Sequence, residues 1–312
     1  VRAAVTRYRQ AMAELAGMRE LEVWYAHADV DEVAGMLAQQ LGKQRGKQFE
    51  RNRAKARARD SLQASRKLTT LVDGRRRIRA DPPLIVPIAD LLPDMAREEL
   101  EDQIRGILAT YRRSLPADRR RLLDAFTFVD LARKVVGVGS VGTRCWIVLL
   151  SGRDDDDPLV LQVKEAGRSV LADHVRVEAD RHPHEGRRIV SGQRLMQATS
   201  DIFLGWASAE GFDGATRDFY VRQLRDWKGS VEVDGMDPVA MRVYAEICGW
   251  TLARAHARTG DRVAIAAYLG DDEAIDVALT RFAELYADQT ERDHAELASA
   301  VRDGRVAART GI

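Results

Sequence analysis

The feature that most constrains the fold is a glycine-rich segment, Gly137-Val138-Gly139-Ser140-Val141-Gly142, which is followed by a strand-like sequence. Residues 143–150 are mostly β-branched or apolar, and this pattern predicts a strand. The dinucleotide-binding form of G-x-G-x-x-G needs a helix at this point and an acidic residue about 20 residues later. That later position falls within residues 161–164, which end in a lysine. The segment therefore argues against a dinucleotide-binding fold.

A glycine loop between two strands, with a lysine on the next strand, is the arrangement that kinases use to hold nucleotide phosphates. Residues 159–164 supply the third strand, and Lys164 stands at its end. An ammonium group is costly to bury on an apolar strand without an anionic partner, and a phosphate is such a partner. We therefore expect a site for ATP and Mg²⁺ that includes Gly137, Gly139, Ser140, Gly142 and Lys164. The alternative is a tight hairpin with Lys164 reaching solvent at a sheet edge.

We also expect a glutamate that pairs with this lysine and a backbone segment that contacts adenine. In kinases a glutamate on the following helix pairs with the strand lysine, and Glu178 and Glu185 both lie at suitable separations, Glu185 at the start of the clearer helical pattern. The alternative for each glutamate is a solvated surface acid. Residues 220–224, which include Gln223, run into a polar linker ending at Gly229, and this backbone suits adenine contacts.

The order of patterns along the chain predicts an α+β fold with a five-stranded glycine-loop lobe. Residues 1–127 form a helical region with a small hairpin at Asp73-Gly74, which Pro82-Pro83 closes. Its expected helices are 2–18, 30–41, a basic helix at 44–69, 94–115 and 117–126. Residues 228–312 form a second helical region, with helices expected after Asp237-Pro238 at 239–259, 261–269 and 271–303. Between them, residues 128–227 form the nucleotide-binding lobe. Its expected strands are 129–138, 143–150, 159–164, 201–207 and 218–224, with a helix at 185–199.

Charge is distributed unevenly along the chain. The whole sequence has a formal net charge of +1, but residues 43–79 contain fourteen Lys or Arg and three acids, which gives this segment +11. Such a segment can bind nucleic-acid phosphates. Against this, Phe49 is its only aromatic residue, so base stacking has little support there. A solvated helix face, or one docked on the acidic remainder, is the alternative.

Other classes of protein find less support in the sequence. No apolar run is long enough for a membrane helix, and we expect a cytoplasmic protein with no membrane partner. Cys145 and Cys248 have no zinc-type spacing and are expected to be buried free thiols. His182-Pro183-His184-Glu185 contains metal-ligand residue types, but Pro183 opposes the helical spacing of zinc peptidases, so a loop before a helix is the better interpretation. We expect no metal ligands or catalytic residues from this chain.

Several long stretches resemble the bacterial domain-of-unknown-function family 2252. The stretches that carry the resemblance are residues 60–64, 81–87, 135–146, 161–166, 192–197, 201–206, 220–229, 248–256 and 286–294. The resemblance implies a protein-kinase-like fold, similar to aminoglycoside phosphotransferases, with an apparently circularly permuted order. It further implies that this chain corresponds to the C-terminal two thirds of the family.

The same resemblance leads us to expect two motifs that this chain lacks. A Gly-Asp-x-His-x-x-Asn stretch and an Asp-Phe-Asp-like stretch would precede the glycine loop, and Asn52 is the only asparagine in the 312 residues. Phosphoryl transfer needs such groups to orient the acceptor and hold Mg²⁺. Residues 248–257 resemble the buried helix before the catalytic loop, and His256 there is expected to be structural. We therefore expect the nucleotide-binding part of a phosphotransferase that is inactive by itself, or a non-catalytic pseudokinase that binds a nucleotide or a partner. The acceptor, a small molecule or a protein, is not specified.

Overall fold

In a computed structural model of the chain, the described residues are 1–27, 61–72, 74–92, 97–135, 137, 142–175, 184–211, 214–224 and 233–308. Two predictions, the helix at 30–41 and most of the basic helix at 44–69, fall outside them. The described helices are α1 (Arg2–Ala16), α2 (Glu20–Tyr25), α3 (Ser61–Leu68), α4 (Ile88–Leu91), α5 (Arg97–Ser114), α6 (Ala117–Leu123), α7 (Glu185–Met196), α8 (Pro238–Thr259), α9 (Arg262–Leu269) and α10 (Ala274–Arg302). The strands are β1 (Thr69–Val72), β2 (Arg75–Ile78), β3 (Ile85–Pro87), β4 (Thr127–Lys134), β5 (Cys145–Ser151), β6 (Pro158–Ala166), β7 (Gly205–Glu210) and β8 (Thr216–Gln223).

The chain divides into two compact units built from segments that are distant in sequence. The first unit comprises Val1–Asn52, Leu195–Ala198 and Val231–Ile312, and the second comprises Arg53–Arg194 and Thr199–Ser230. All eight described strands lie in the second unit. The fold is therefore a mixture of helix and sheet, as the sequence predicts, and each unit is assembled from segments that alternate along the chain.

The second unit contains a two-stranded hairpin, β1–β2, and a six-stranded antiparallel sheet in the order β3-β4-β5-β6-β8-β7. The prediction of five strands was wrong because β3 pairs with β4 at the sheet edge, with Ile85 opposite Lys134. Residues around Pro82-Pro83 read locally as the end of the hairpin, and pairing with a strand some 50 residues away has no local signal. The predicted start of β7 at residue 201 also shifts, because Asp201 forms a turn in which its carboxylate accepts the Phe203 N–H.

The two faces of the six-stranded sheet differ in what covers them. One face, which we call the α5 face, packs against α5 through Tyr111 and Leu115, and its strand residues include Val148, Leu150, Leu159, Leu161 and Val221. The other face, which we call the lysine face, carries Ile147, Leu149 and Val160 and packs against Leu68 and Ile78 from α3 and the hairpin. Because side chains alternate along a strand, Lys164 shares this second face with Val160. The lysine is thus on the opposite side of the sheet from α5.

The first unit is helical, and its core is formed where α1 packs along α8. Ala11, Met12 and Leu15 of α1 contact Ala253 and Ala257 of α8 in one buried cluster. Helix α8 begins at the predicted Asp237-Pro238 signal, where the Asp237 carboxylate accepts the N–H groups of Val239 and Ala240. In the described part of the chain no helix is both long and apolar enough to cross a membrane.

The two cysteines are free, but they differ in exposure. Cys145 is buried at the start of β5, as expected. The prediction that Cys248 is buried was wrong, since its side chain is exposed on α8. The neighbouring residue Gly249 is the one that faces α1, where an added Cβ would meet the Ala4 carbonyl oxygen. An aromatic-rich helical sequence does not show locally which of two adjacent residues points inward.

Candidate functional site

The candidate site is built around a single cross-strand row on the lysine face. In β6, Lys164 lies opposite Cys145 of β5 and opposite Tyr220 of β8. The register of β4 with β5 pairs Arg133 with Trp146, so Lys134 stands next to Cys145 in the same row. Directly opposed residues in an antiparallel sheet point to the same face. The row therefore places two lysines on either side of one buried thiol.

Three cations meet at this place, namely Lys134, Lys164 and Arg222, and we call them the cation cluster. All three are near enough to Cys145 to affect its thiol: burial raises the pKa of Cys145, while Lys164, then Lys134 and then Arg222 act to lower it. Burial likewise raises the pKa of Tyr220, against a smaller opposing effect of Arg222. The region is thus both partly desolvated and positively charged, which is an environment that favours a bound anion.

No carboxylate among the described residues forms an ion pair with the cation cluster. The adjacent acid on β6, Glu165, points to the α5 face, where its Oε2 accepts the backbone N–H of Arg144 at 3.0 Å. The same carboxylate lies 3.3 Å from the Arg144 guanidinium and 3.6 Å from that of Arg217. Strand alternation therefore removes the nearest possible counter-ion from the side on which the cluster lies.

A buried amide adds a hydrogen-bond donor to the same face. The Gln162 side chain, two residues before Lys164, is only 1% exposed. Its Oε1 accepts a hydrogen bond from Arg222 Nε at 3.1 Å, and a hydrogen bond from the Gln162 side chain also helps to lower the pKa of the Cys145 thiol. Buried polar groups are normally hydrogen-bonded, and this amide connects Arg222 with Cys145 on the lysine face.

The glycine loop joins β4 to β5 at the same end of the sheet. Lys134 ends β4 just before the loop, and Cys145 begins β5 just after it. Gly137 and Gly142 have positive φ values of 119° and 83°, a backbone region that other residues rarely adopt. These two predicted positions are therefore glycine for a conformational reason, and the loop they bound adjoins the cation cluster. Gly139 and Ser140 lie outside the described residues.

The structure does not bring the predicted glutamate to the lysine. Glu185 is the first residue of α7, and its Oε2 accepts a hydrogen bond from Arg188 Nε at 2.5 Å. It forms no ion pair with Lys164. Glu178, the other candidate, lies outside the described residues. Among the described residues, no glutamate takes the position beside Lys164 that is expected by analogy with kinases.

The predicted adenine-side residue lies on the other face of the sheet. Gln223 pairs with Leu161, which belongs to the α5 face. Its side-chain Nε2 donates to Asp201 Oδ1 at 3.0 Å, and its backbone N–H donates to Asp201 Oδ2 at 2.6 Å. The side chain of Gln223 is therefore committed to the turn before β7, and the structure does not bring it together with Lys164. The linker that follows, residues 225–232, lies outside the described residues.

The histidine considered as a metal ligand instead supports the start of α7. His184 Nδ1 accepts the Arg187 N–H at 3.2 Å, and its Nε2 lies 3.1 Å from Ser208 Oγ. The Ser208 hydroxyl donates to Asp218 at 2.8 Å, and Asp218 also accepts the Glu185 N–H at 2.7 Å. Serine, histidine and aspartate are thus close together, but Nδ1 caps a helix and the hydroxyl donates to the carboxylate. The arrangement is a helix cap, not an activated nucleophile.

Two other expectations concern metals and His256. Within the described ranges, no group of three or more His, Cys, Asp or Glu side chains is placed to hold a metal ion. His256 of α8 has its Nδ1 2.8 Å from the Tyr8 hydroxyl, which links α8 to α1. The described residues therefore give His256 a packing contact.

The sequence analysis missed three members of the candidate site, Lys134, Gln162 and Arg222. A signal for one of them is present: Gln162 and Lys164 are two residues apart on one strand, so they share a face. Arg222 and Lys134 reach that face only through the strand order and register, which pair β6 with β8 and β5 with β4. Pairing between distant strands is a tertiary property, and no local pattern gives it.

Comparisons with known proteins give a single family. The family model described as "Uncharacterized protein conserved in bacteria (DUF2252)" matches residues 1–300. No curated protein and no solved structure matched the chain.

Proposed function

Because the chain belongs to the bacterial family DUF2252, whose description names no activity, we propose its function from the site itself: it binds a nucleoside triphosphate, with the phosphates on the cation cluster. The observation that carries the proposal is the set of Lys134, Lys164 and Arg222 on one sheet face without a carboxylate ion pair among the described residues. A triphosphate supplies the charge that would balance them.

Three features favour a nucleotide over a simple anion. A loop bounded by Gly137 and Gly142 connects the two strands next to the cluster, and backbone N–H groups of such loops suit phosphate oxygens. Lys164 stands on the strand after that hairpin, and α7 follows it, which is the order of glycine loop, lysine strand and helix in protein kinases. Finally, the hydrogen bond from Arg222 to Gln162 holds this guanidinium on the face that carries Lys164.

In this proposal Mg²⁺ would be carried by the phosphates. The described residues offer no cluster of three or more metal-ligating side chains, and the sequence contains a single asparagine, Asn52. When bound, the ion would shield phosphate charge. The roles of this chain's own groups are to hold the phosphates with Lys164 and its neighbours and to cover them with the loop. Phosphoryl transfer would need an acceptor-orienting aspartate and metal ligands from outside the described residues.

The kinase-like fold and its circular permutation belong to the same proposal. They would make the sheet the nucleotide-covering lobe of a phosphotransferase, or of a pseudokinase that binds nucleotide without transferring phosphate. ATP binding by itself is common to both forms. A measurement of binding therefore tests the site before the question of catalysis arises.

The test is ATP binding by a Lys164→Ala variant, measured by calorimetry with ATP and Mg²⁺. Loss of a charge-assisted contact of about 1.5 to 3 kcal/mol should weaken binding by roughly tenfold to a hundredfold. The matched control is Lys67→Ala, because Lys67 is an exposed lysine on α3. Adenosine, which has no phosphates, should bind both variants equally. Unchanged ATP affinity in Lys164→Ala would remove Lys164 from the site.

A further inference from the structure

A second cationic surface lies at the other end of β4. A groove of about 930 Å³ runs between the β1–β2 hairpin, α5 and the start of β4. Five arginines line it: Arg75, Arg76 and Arg77 from the hairpin, and Arg105 and Arg112 from α5. The three hairpin arginines belong to the basic segment 43–79, which the proposed nucleotide site does not use. We call this surface the arginine groove.

The acids that line the groove do not balance its arginines. Asp124 and Asp155 are the two carboxylates in the lining. The Asp124 carboxylate is held by Arg112, with both Arg112 Nε and Nη2 at 2.6 Å. Arg105 donates to Asp102 at 2.8 Å on α5. This leaves the hairpin arginines facing one exposed lining acid, Asp155.

The hairpin arginines are positioned mainly by neutral groups, although Arg77 Nη1 also lies 4.0 Å from the Asp130 carboxylate. Arg77 Nη1 donates to the Val129 carbonyl at 2.9 Å, and Arg76 Nη1 donates to Thr69 Oγ1 at 3.2 Å. The Arg76 Nε is buried and has no hydrogen-bond partner among the described residues. Arg75 is exposed and forms no ion pair within the same part of the chain. Guanidinium groups held in this way keep their charge available to an incoming anion.

An acidic turn borders the groove, but its carboxylates are largely occupied. In the turn between β5 and β6, Asp154 accepts from Arg153 Nε and from the Asp156 N–H. Asp157 accepts the Arg153 N–H at 3.1 Å. Asp156 is 93% exposed and lies 4.0 Å from Arg76 Nη2, a distance at which an exposed pair has little energy. The turn therefore forms one border of the groove but does not neutralise the charge of the arginines that line it.

Aromatic residues complete the chemistry of the groove. Phe126 and Phe128 line it and are only partly buried. Within residues 43–79 the only aromatic is Phe49, so the sequence alone supplies arginines without stacking groups. The fold places Phe126, just before β4, and Phe128, within β4, in the lining of the groove that the hairpin arginines also line, and both rings pack partly against the core. Arginines with interleaved aromatic rings are the combination that proteins use to bind single-stranded nucleic acids.

We infer that the arginine groove binds single-stranded nucleic acid, with the arginines on the phosphates and Phe126 or Phe128 against the bases. Phosphate contacts to guanidinium groups provide most of the affinity in such complexes, and stacking on aromatic rings favours unpaired bases. The inference does not depend on the proposed nucleotide site, which lies at the opposite end of β4.

The experiment measures binding of fluorescently labelled oligo-dT and oligo-U to the full chain by anisotropy, over a range of salt concentrations. The double variant Arg75→Ala with Arg77→Ala should lose at least tenfold in affinity. It should also lower the slope of log affinity against log salt by about 1.4, since each phosphate contact to a single strand contributes about 0.7. Phe128→Leu keeps the apolar bulk and should weaken binding roughly tenfold with the salt slope unchanged.

The matched control removes the same charge elsewhere in the second unit. Arg168 and Arg187 are exposed and do not line the groove, so the double variant Arg168→Ala with Arg187→Ala should bind the oligonucleotides as the wild type does. Equal losses in the two double variants would overturn the assignment to the groove, as would unchanged binding after removal of Arg75 and Arg77. Equally tight binding of a duplex of the same length would overturn the choice of single strands. Thermal unfolding of each variant verifies its fold.

Discussion

At the scale of the residue, Asp276, at the start of α10, is the one buried carboxylate in the described part of the chain. It is fully buried, and Arg9 of α1 binds it with two hydrogen bonds, Nε to Oδ1 at 3.0 Å and Nη2 to Oδ2 at 2.9 Å. Thr6 donates a third at 2.8 Å. The Arg9 hydrogen bond is the largest of the effects that lower the pKa of Asp276, and burial opposes it. Removing one partner of such a pair leaves the other buried and uncompensated.

We expect Asp276→Asn to lower the free energy of unfolding by about 3 kcal/mol at neutral pH, because Arg9 would keep its charge without its carboxylate. The control is Asp124→Asn, since Asp124 forms a similar two-point pair with Arg112 at an exposed site, and it should change stability little. Urea titrations of both variants measure the difference. Equal losses would show that burial of the pair does not matter.

The lowered pKa of Asp276 also predicts how the stability of the protein depends on pH. Since the pKa of Asp276 is lower in the folded protein than in the unfolded chain, its contribution is fully present above the unfolded value of about 4. The contribution is lost as the pH falls through the lower, folded-state pKa. The wild type should therefore lose more stability than Asp276→Asn in acid below about pH 4. Parallel acid dependence of the two proteins would contradict this expectation.

At the scale of the element, the contact of α1 with α8 depends on one glycine. A Cβ at Gly249 would lie 2.2 Å from the Ala4 carbonyl oxygen and 3.2 Å from the Ala4 Cα. Both are backbone atoms, which cannot move away as the end of a flexible side chain can. Glycine in a helix interior ordinarily costs about 0.5 to 1 kcal/mol relative to alanine. At Gly249 this cost is smaller than the cost of the clash that a Cβ would make with the backbone of α1.

Gly249→Ala should destabilise the protein by about 2 kcal/mol, because overpacking of this contact exceeds the gain in helix propensity. Gly106→Ala is the matched control, since Gly106 is also inside a helix, α5, and a Cβ there would have no neighbour within 4 Å. That change should raise stability by about 0.5 to 1 kcal/mol. Urea midpoints of the two variants should therefore move in opposite directions. A stabilising Gly249→Ala would mean that the helices can separate at little cost.

At the scale of the whole molecule, β4 connects the two proposed sites. Its first residues, Thr127 and Phe128, line the arginine groove, and its last residue, Lys134, belongs to the cation cluster. The groove extends along β4 to Val129, and the five steps from Val129 to Lys134 span about 17 Å. Sites that are this far apart and share no contacting side chains usually behave independently.

We therefore expect the two binding activities to separate cleanly. Lys164→Ala should leave oligonucleotide affinity within about twofold of the wild type, and the Arg75→Ala, Arg77→Ala variant should leave ATP affinity equally unchanged. Titration of ATP in the presence of saturating oligo-dT provides the third comparison. A reciprocal change in both affinities would indicate coupling through the sheet, since linkage requires the same factor in each direction.

The elements and one end of the candidate site could be predicted from the sequence. Local periodicity predicted the strand at β6, the helix α7 and the long C-terminal helices within a few residues, since side-chain alternation and helix caps are local properties. The glycine loop and Lys164 came from residue spacing alone. The sixth strand, the exposed position of Cys248 and the placement of Gln223 on the α5 face could not be predicted, because each depends on a segment that is distant in the sequence.

What the sequence by itself determined was therefore the α+β composition, the hairpin that holds the glycine loop, and the lysine on the strand after it. What only the tertiary structure decided was which charges meet. Strand order and register brought Lys134 and Arg222 to the face of Lys164. The physical reason is that one residue of register moves every side chain of a strand to the other face, and register is set by partners far away in the chain.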